Sequence, residues 1–101
     1  LIIFLGKLVM KNFIATHEFK SAELRDQYFQ AFSQMSEDDI RSAVNGDKAV
    51  CQMNWANGTA SMRMFCWWKA ESGEAIIEQL GDMNNFFDTV CEEMESVADF
   101  R

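Results

Sequence analysis

The fold of this chain is decided by residues 48–70, which read KAVCQMNWANGTASMRMFCWWKA. Asn57-Gly58 separates two alternating apolar runs, which is the strongest short-range signal for a β-hairpin. If these two residues form the whole turn, Cys51 faces Met64 and one face of the hairpin is apolar on both strands. The other pairs on that face are then Ala49 with Cys66, Met53 with Met62, and Trp55 with Ala60. The pattern predicts a hairpin in this register.

The two faces of the predicted hairpin differ in composition. One face is apolar throughout and is expected to pack against helices; it holds Cys51, Met53, Met62, Met64, Cys66 and Trp68. The other face mixes aromatic with polar side chains; it holds Gln52, Arg63, Phe65 and Trp67. A monomer would expose this second face as an apolar patch, which is typical of an interface or a pocket. We therefore expect a homodimer.

The residues before the hairpin predict one strand and two helices. Residues 12–19 alternate and are rich in β-forming side chains, which predicts a strand. Ser21 is a candidate N-cap for a helix over 22–35. Ser36 is a candidate cap for a second, short helix that ends at Asn45-Gly46.

The residues after the hairpin predict a helix and then an ambiguous tail. Ser72 is a candidate cap for a helix that ends at Gly81. Over 83–98 the apolar spacing favours a helix, whereas a strand over about 89–97 would complete a known element order. That order is strand, helix, strand, strand, helix, strand, the α+β ferredoxin-like sandwich with an antiparallel sheet and helices on one side.

Several local sequences support a family resemblance. They are His17 near the end of the first strand, Trp55, FCWWKA at 65–70, Glu74-Ala75-Ile76 and FDTVCEEMESV at 87–97. With these residues, the span 10–101 resembles the small uncharacterised ferredoxin-like domains of the dimeric α+β barrel superfamily, a type also met among hypothetical proteins of mobile gene cassettes. The resemblance implies that 87–97 form the last strand and that two subunits pack their sheets face to face.

Length and charge limit the possible functions. A chain of 101 residues makes one domain with one modest core, so any sizeable ligand site is expected to need a second subunit. The chain is acidic, with a net charge of -7, which repels phosphate backbones and anionic membrane surfaces. Neither nucleic acid nor a membrane is therefore a predicted partner.

Residues 1–9 are interpreted apart from the domain at 10–101. They read LIIFLGKLV, which is too short and too interrupted for a transmembrane span and lacks the features of a signal peptide. We interpret them either as an extension, added artificially or by upstream translation, or as an authentic extra β-strand.

Three cysteines without a CxxC pair, and no export signal, predict a reduced cytoplasmic protein in which each cysteine is a small buried hydrophobe.

Five residues are candidates for a functional site. His17 is the only histidine, so it is the candidate general base or metal ligand, although a lone histidine is more often a hydrogen-bonded structural residue. Arg63, with Gln52 opposite, is suited to hold a carboxylate or to form an interface salt bridge. Phe65 and Trp67 form either the floor of an aromatic pocket or part of a dimer core.

No cofactor or metal is predicted. Met53, Met62, Met64 and Cys51 together resemble a soft-metal cluster, but strand alternation explains them as core filling. The leading interpretation is an uncharacterised homodimer that binds a small organic ligand at the sheet face or subunit interface. Two alternatives stay open: a cofactor-less monooxygenase- or isomerase-like enzyme, implied by the resemblance, with His17 as base and Arg63 orienting a carboxylate, and an interaction module without a ligand.

Overall fold

A computed structural model describes residues 9–101, so the interpretation of the first nine residues concerns a segment that, apart from Val9, lies outside the described part. The elements in chain order are β1 (Lys11–Phe19), α1 (Ala22–Ser33), α2 (Glu37–Ala43), β2 (Ala49–Ala56), β3 (Arg63–Ala70), α3 (Gly73–Leu80), a 3₁₀ turn (Gly81–Asn85) and β4 (Phe87–Met94). The strands form one antiparallel sheet in the order β2-β3-β1-β4. The predicted α+β, ferredoxin-like fold is confirmed.

The ambiguous tail contains a strand and not a helix. β4 pairs antiparallel with β1, from Asn12 opposite Met94 to Phe19 opposite Phe87. If these residues formed a helix, the N–H and C=O groups on the outer edge of β1 would have no partners in the sheet. Buried backbone groups without hydrogen bonds are unfavourable, which favours a strand here. The prediction of a final strand is therefore confirmed.

The three predicted helix caps are confirmed. The hydroxyls of Ser21, Ser36 and Ser72 each accept a hydrogen bond at 3.1 Å from the backbone N–H three residues later. These bonds satisfy one of the free N–H groups at each helix start. Gly81 follows α3 with a φ of 55°, a backbone conformation that glycine adopts without strain.

The hairpin is present, but its predicted register is wrong. Cys51 faces Trp68 and not Met64. The connection between the strands is not a two-residue turn, because it spans 57–62. Gly58 lies inside this longer loop with a φ of 68°.

A bulge in β2 accounts for a second difference. The register shifts between Cys51 and Met53, so Gln52 has no partner on β3 and Asn54 faces Cys66. Met53 consequently lies on the open face of the sheet, where it is 46% exposed, and does not pack under the helices as predicted. Gln52 is not opposite Arg63, which pairs with β1 instead.

Tertiary contacts explain why the hairpin loop is long. The Met62 carbonyl accepts a hydrogen bond at 2.8 Å from the Phe19 N–H of β1, and Arg25 of α1 donates to the Ala60 carbonyl at 2.8 Å. Both registers pair apolar side chains, so the alternation of the sequence does not discriminate between them.

The sheet has a covered face and an open face. The core lies on the covered face and consists of Phe13, Ala15, Phe19, Ala49, Met64, Cys66, Trp68, Ala70 and Phe87 of the sheet with Ala75, Ile76 and Leu80 of α3. By contrast, no residue of α1 or α2 is fully buried. The covered face is therefore buried more completely under α3 than under α1 and α2. Within 9–101, no helix is both long enough and apolar enough to cross a bilayer.

Candidate functional site

A cavity of about 250 Å³ lies between the covered face of the sheet and the first two helices. It forms because α3 buries its apolar side chains against the sheet, whereas α1 and α2 bury none completely. The cavity is lined by His17, Tyr28, Phe29, Phe32, Ile40, Val44, Cys51, Asn54, Met64, Cys66, Trp68, Leu80, Met83 and Phe87. Most of these side chains are apolar or aromatic, which is usual for a site that binds a small molecule.

A polar cluster centred on Cys66 interrupts this apolar lining. The Asn54 side-chain amide donates a hydrogen bond to the Cys66 sulfur at 2.9 Å. His17 Nε2 lies 3.3 Å from the same sulfur, and His17 Nδ1 is hydrogen-bonded to the Thr89 hydroxyl at 2.7 Å. β1, β2, β3 and β4 each contribute one member, so the sheet itself positions the cluster.

Cys51 is the second sulfur of the cavity. Its thiol lies 3.6 Å from the Met53 carbonyl oxygen, and Cys51 pairs with Trp68, which places it diagonal to Cys66 on the same face of the sheet. Hydrogen bonding from Cys51, followed by the contributions of His17 and Asn54, outweighs burial and lowers the pKa of Cys66 to about 5. The same contact with Cys66, together with burial, raises the pKa of Cys51 well above its ordinary value. The two shifts have opposite directions, so they favour the negative charge on Cys66 and the proton on Cys51.

This electrostatic arrangement gives Cys66 the chemistry of a nucleophile. A thiolate, and not a thiol, attacks electrophilic atoms, and hydrogen-bond donors around the sulfur favour the charged form. Because a thiolate is only an acceptor, the contact with His17 requires the proton on Nε2. Burial, followed by the charges of Cys66 and Cys51, raises the pKa of Tyr28, so this wall of the cavity carries a neutral phenol.

The indole of Trp68 provides the second polar feature of the cavity. Trp68 is completely buried, and its Nε1–H has no hydrogen-bond partner among residues 9–101. A buried donor without an acceptor is destabilising by about 1–3 kcal/mol. Trp68 is one of the residues that line the cavity, so a bound molecule with an acceptor atom that reaches Nε1 would satisfy this donor.

His17 is buried and hydrogen-bonded, as its structural interpretation predicts, and it also lines the cavity. It is 1% exposed, its ring centroid lies 4.5 Å from that of Phe87, and both ring nitrogens have partners. Those partners, Cys66 and Thr89, are distant in sequence, so local sequence gave no sign of them. His17 is therefore both hydrogen-bonded and part of the cavity wall.

The other four candidate residues do not join His17. Arg63, Phe65 and Trp67 lie on the open face, opposite the cavity, since they alternate along β3 with the buried residues. Arg63 and Phe65 line a depression of about 550 Å³ with Glu18, whereas Trp67 borders a separate groove next to the last residues of the chain. Gln52 is exposed in the bulge, and its amide donates to the Val50 carbonyl at 3.2 Å. The shared site for His17 and Arg63 is not formed within one subunit.

Sequence reasoning missed the members of the cluster that matter most for its chemistry. The sequence predicts Cys51 and Cys66 as small hydrophobes, and simple alternation along β2 would put Asn54 on the same face as Gln52. The bulge at Gln52 brings Asn54 opposite Cys66, and the sequence alone does not locate that bulge. The available signal was two cysteines on one predicted hairpin face next to a strand with the only histidine.

The sulfur atoms do not form the soft-metal cluster considered above. Met64 is in the core, while Met53 lies on the opposite face of the sheet. Within the part of the chain that the structure describes, no three His, Cys, Asp or Glu side chains are arranged to hold a metal ion.

Comparisons with known proteins found no relative. No protein-family model, curated protein or solved structure matches this chain.

Proposed function

We propose that this chain binds a small, largely apolar organic molecule in the cavity under α1 and α2, and that the molecule carries a hydrogen-bond acceptor. The observation that carries the proposal is the largely apolar and aromatic lining of the cavity, which includes Trp68, whose buried Nε1–H has no partner among residues 9–101. An acceptor on the bound molecule would remove the penalty of that buried donor. The aromatic lining would supply most of the binding free energy by burial of apolar surface.

The volume of the cavity limits the size of the ligand. An apolar cavity of about 150 Å³ holds benzene, and pockets for drug-sized molecules measure about 300–1,000 Å³. At about 250 Å³, this cavity suits a molecule of one or two rings or an aliphatic chain of similar size. Because the cavity lies inside one subunit, this ligand site does not need a partner chain.

We further propose that the chain is a homodimer through its open face, as expected for the dimeric α+β barrel superfamily that it resembles. In the single chain this face exposes large apolar side chains: Met53 (46%), Trp55 (48%), Phe65 (41%) and Val90 (70%). Apolar exposure of this extent on a sheet face supports an interface. A reducing compartment such as the cytoplasm suits the proposed site, since Cys51 and Cys66 are free thiols.

Thermal shift with simple aromatic probes tests the ligand site. At a concentration ten times its Kd, a probe such as 2-naphthol should stabilise the protein by about 1.4 kcal/mol, or roughly 5–10 °C in Tm. Naphthalene, which lacks the acceptor oxygen, should bind about 2- to 10-fold more weakly. If neither indole, naphthalene nor 2-naphthol raises Tm, the proposed binding function is refuted.

Two matched variants locate the binding. Ile40→Trp fills the cavity from α2 and should abolish the shift with 2-naphthol, whereas Ile77→Trp on the exposed side of α3 should preserve it. An equal shift in both variants would contradict the assignment to this cavity.

For the dimer, light scattering after size exclusion should give a dimer mass for the wild type and a monomer mass for Phe65→Lys. A monomeric wild type at micromolar concentration would refute the dimer.

A further inference from the structure

We propose that Cys66 and Cys51 form a redox pair that reduces an organic hydroperoxide held in the cavity, with Cys66 as the attacking sulfur and Cys51 as the resolving thiol. This inference rests on the proposed function, because the same cavity takes the hydroperoxide as its small apolar ligand. It adds a reaction to the binding site.

The surroundings of Cys66 suit attack on a peroxide. Its sulfur is held by the Asn54 amide at 2.9 Å and by His17 Nε2 at 3.3 Å. Both contacts favour the negatively charged sulfur, which is the form that attacks an O–O bond. Cys66 is 6% exposed and faces the cavity, so a molecule in the cavity reaches the sulfur while bulk solvent has little access.

The position of Cys51 suits the second step. Cys51 faces Trp68 on β3, and Cys66 is the next residue on the same face of that strand. Diagonal neighbours of this kind have Cβ atoms within roughly 7 Å, and a disulfide needs about 4 Å. Both cysteines line the same cavity, and Gln52 beside Cys51 has no partner on β3 that would hold the bulge in place. A small movement of the bulge therefore closes the remaining distance.

The reaction balances without a metal or cofactor. The Cys66 thiolate attacks the terminal oxygen of ROOH, the O–O bond breaks, and RO⁻ leaves while Cys66 becomes a sulfenic acid. RO⁻ takes the proton of the Cys51 thiol and departs as the alcohol ROH. The Cys51 thiolate then attacks the Cys66 sulfur, the S–O bond breaks, and hydroxide leaves. Two electrons pass from the two sulfurs to the peroxide, and an external dithiol returns the disulfide to two thiols.

The cavity favours an organic hydroperoxide over hydrogen peroxide. Its aromatic walls bind an apolar group, and the Trp68 Nε1–H has no acceptor within 9–101, so a peroxide oxygen would supply one. Cys91 is a natural reference, since its sulfur lies 3.9 Å from the Gly73 carbonyl and does not line the cavity. Burial raises the pKa of Cys91, so it should react slowly.

The experiment treats the full chain with cumene hydroperoxide, blocks the free thiols, and then digests the chain with trypsin at neutral pH. Cleavage after Lys48, Arg63 and Lys69 puts each cysteine on its own peptide. We expect peptide 49–63 to be linked to peptide 64–69, one equivalent of cumyl alcohol per disulfide, and oxidation of Cys66 at least about tenfold faster than that of Cys91. A link to Cys91, or equal rates for Cys66 and Cys91, would overturn the pair.

Two further measurements separate this inference from ligand binding. In Cys51→Ser, Cys66 should stop at the sulfenic acid, which dimedone traps, whereas Cys91→Ser should still form the disulfide. The wild type should react at least about tenfold faster with cumene hydroperoxide than with hydrogen peroxide, and Ile40→Trp should remove this preference. If aromatic probes bind but no disulfide forms, the redox pair fails and the binding function stands. If both peroxides react at equal rates in the wild type, the claim that the organic group of the hydroperoxide binds in the cavity is refuted.

Discussion

Replacement of Asn54 by leucine should raise the pKa of Cys66 from about 5 to about 6–7. Cys51, His17 and Asn54 all stabilise the thiolate, and Asn54 makes the shortest measured contact, 2.9 Å from Nδ2 to Sγ. A hydrogen bond to a charged group contributes about 1.5–3 kcal/mol, and 1.36 kcal/mol corresponds to one pH unit. Leucine has nearly the shape of asparagine, so the substitution removes the donor without opening a cavity.

The assay is the rate of alkylation of Cys66 by iodoacetamide between pH 4 and 9. Peptide 64–69 contains only Cys66, so mass spectrometry after trypsin digestion reports this cysteine alone. Gln52→Leu is the matched control, because this amide donates to the Val50 carbonyl and does not contact Cys66. A wild-type midpoint above pH 8, or an unchanged midpoint in folded Asn54→Leu, would refute the account of the thiolate.

Two further predictions concern stability. The pKa of Cys66 is about 5 in the folded chain and 9.0 in its ordinary state. Between pH 5 and 9 the unfolded chain therefore holds a proton on Cys66 that the folded chain has lost. The free energy of unfolding should therefore rise with pH from 5 to 9, by up to about 1.4 kcal/mol per unit, and this contribution is lost as pH falls through 5. Urea denaturation of Cys66→Ser should show a flatter pH dependence, and an identical slope in both proteins would contradict the linkage. Ser21→Ala should lower the free energy of unfolding by about 1 kcal/mol through loss of the α1 cap, while Ser42→Ala should change it by less than about 0.5 kcal/mol.

Local chemistry explains which parts of the fold were predictable. A serine at the start of a helix interacts with the backbone only three residues away, so Ser21, Ser36 and Ser72 were identifiable as caps. The tail was ambiguous because apolar spacing over 83–98 fits a helix. Pairing with β1, a contact between the two ends of the domain, makes it a strand.

The candidate site was predictable only in part. His17 is conspicuous as the only histidine, but its partners Cys66 and Thr89 come from other strands. The alternation along β3 correctly predicted that Phe65 and Trp67 share a face of the sheet. It contains no information on His17 of β1, which lies on the covered face, opposite the open face that holds Phe65 and Trp67.

The amino-acid sequence by itself determined the order of the elements as far as α3, the covered face of β3 and the acidic charge, because each depends on neighbours in the chain or on composition. Only the tertiary structure decided the register of the hairpin, the bulge at Gln52 and the cluster around Cys66. Apolar side chains face one another at several positions in both registers, and the observed register is accompanied by contacts of the loop with β1 and α1. A bulge of one residue then reversed the faces of half a strand and placed Asn54, instead of an apolar side chain, against the sulfur of Cys66.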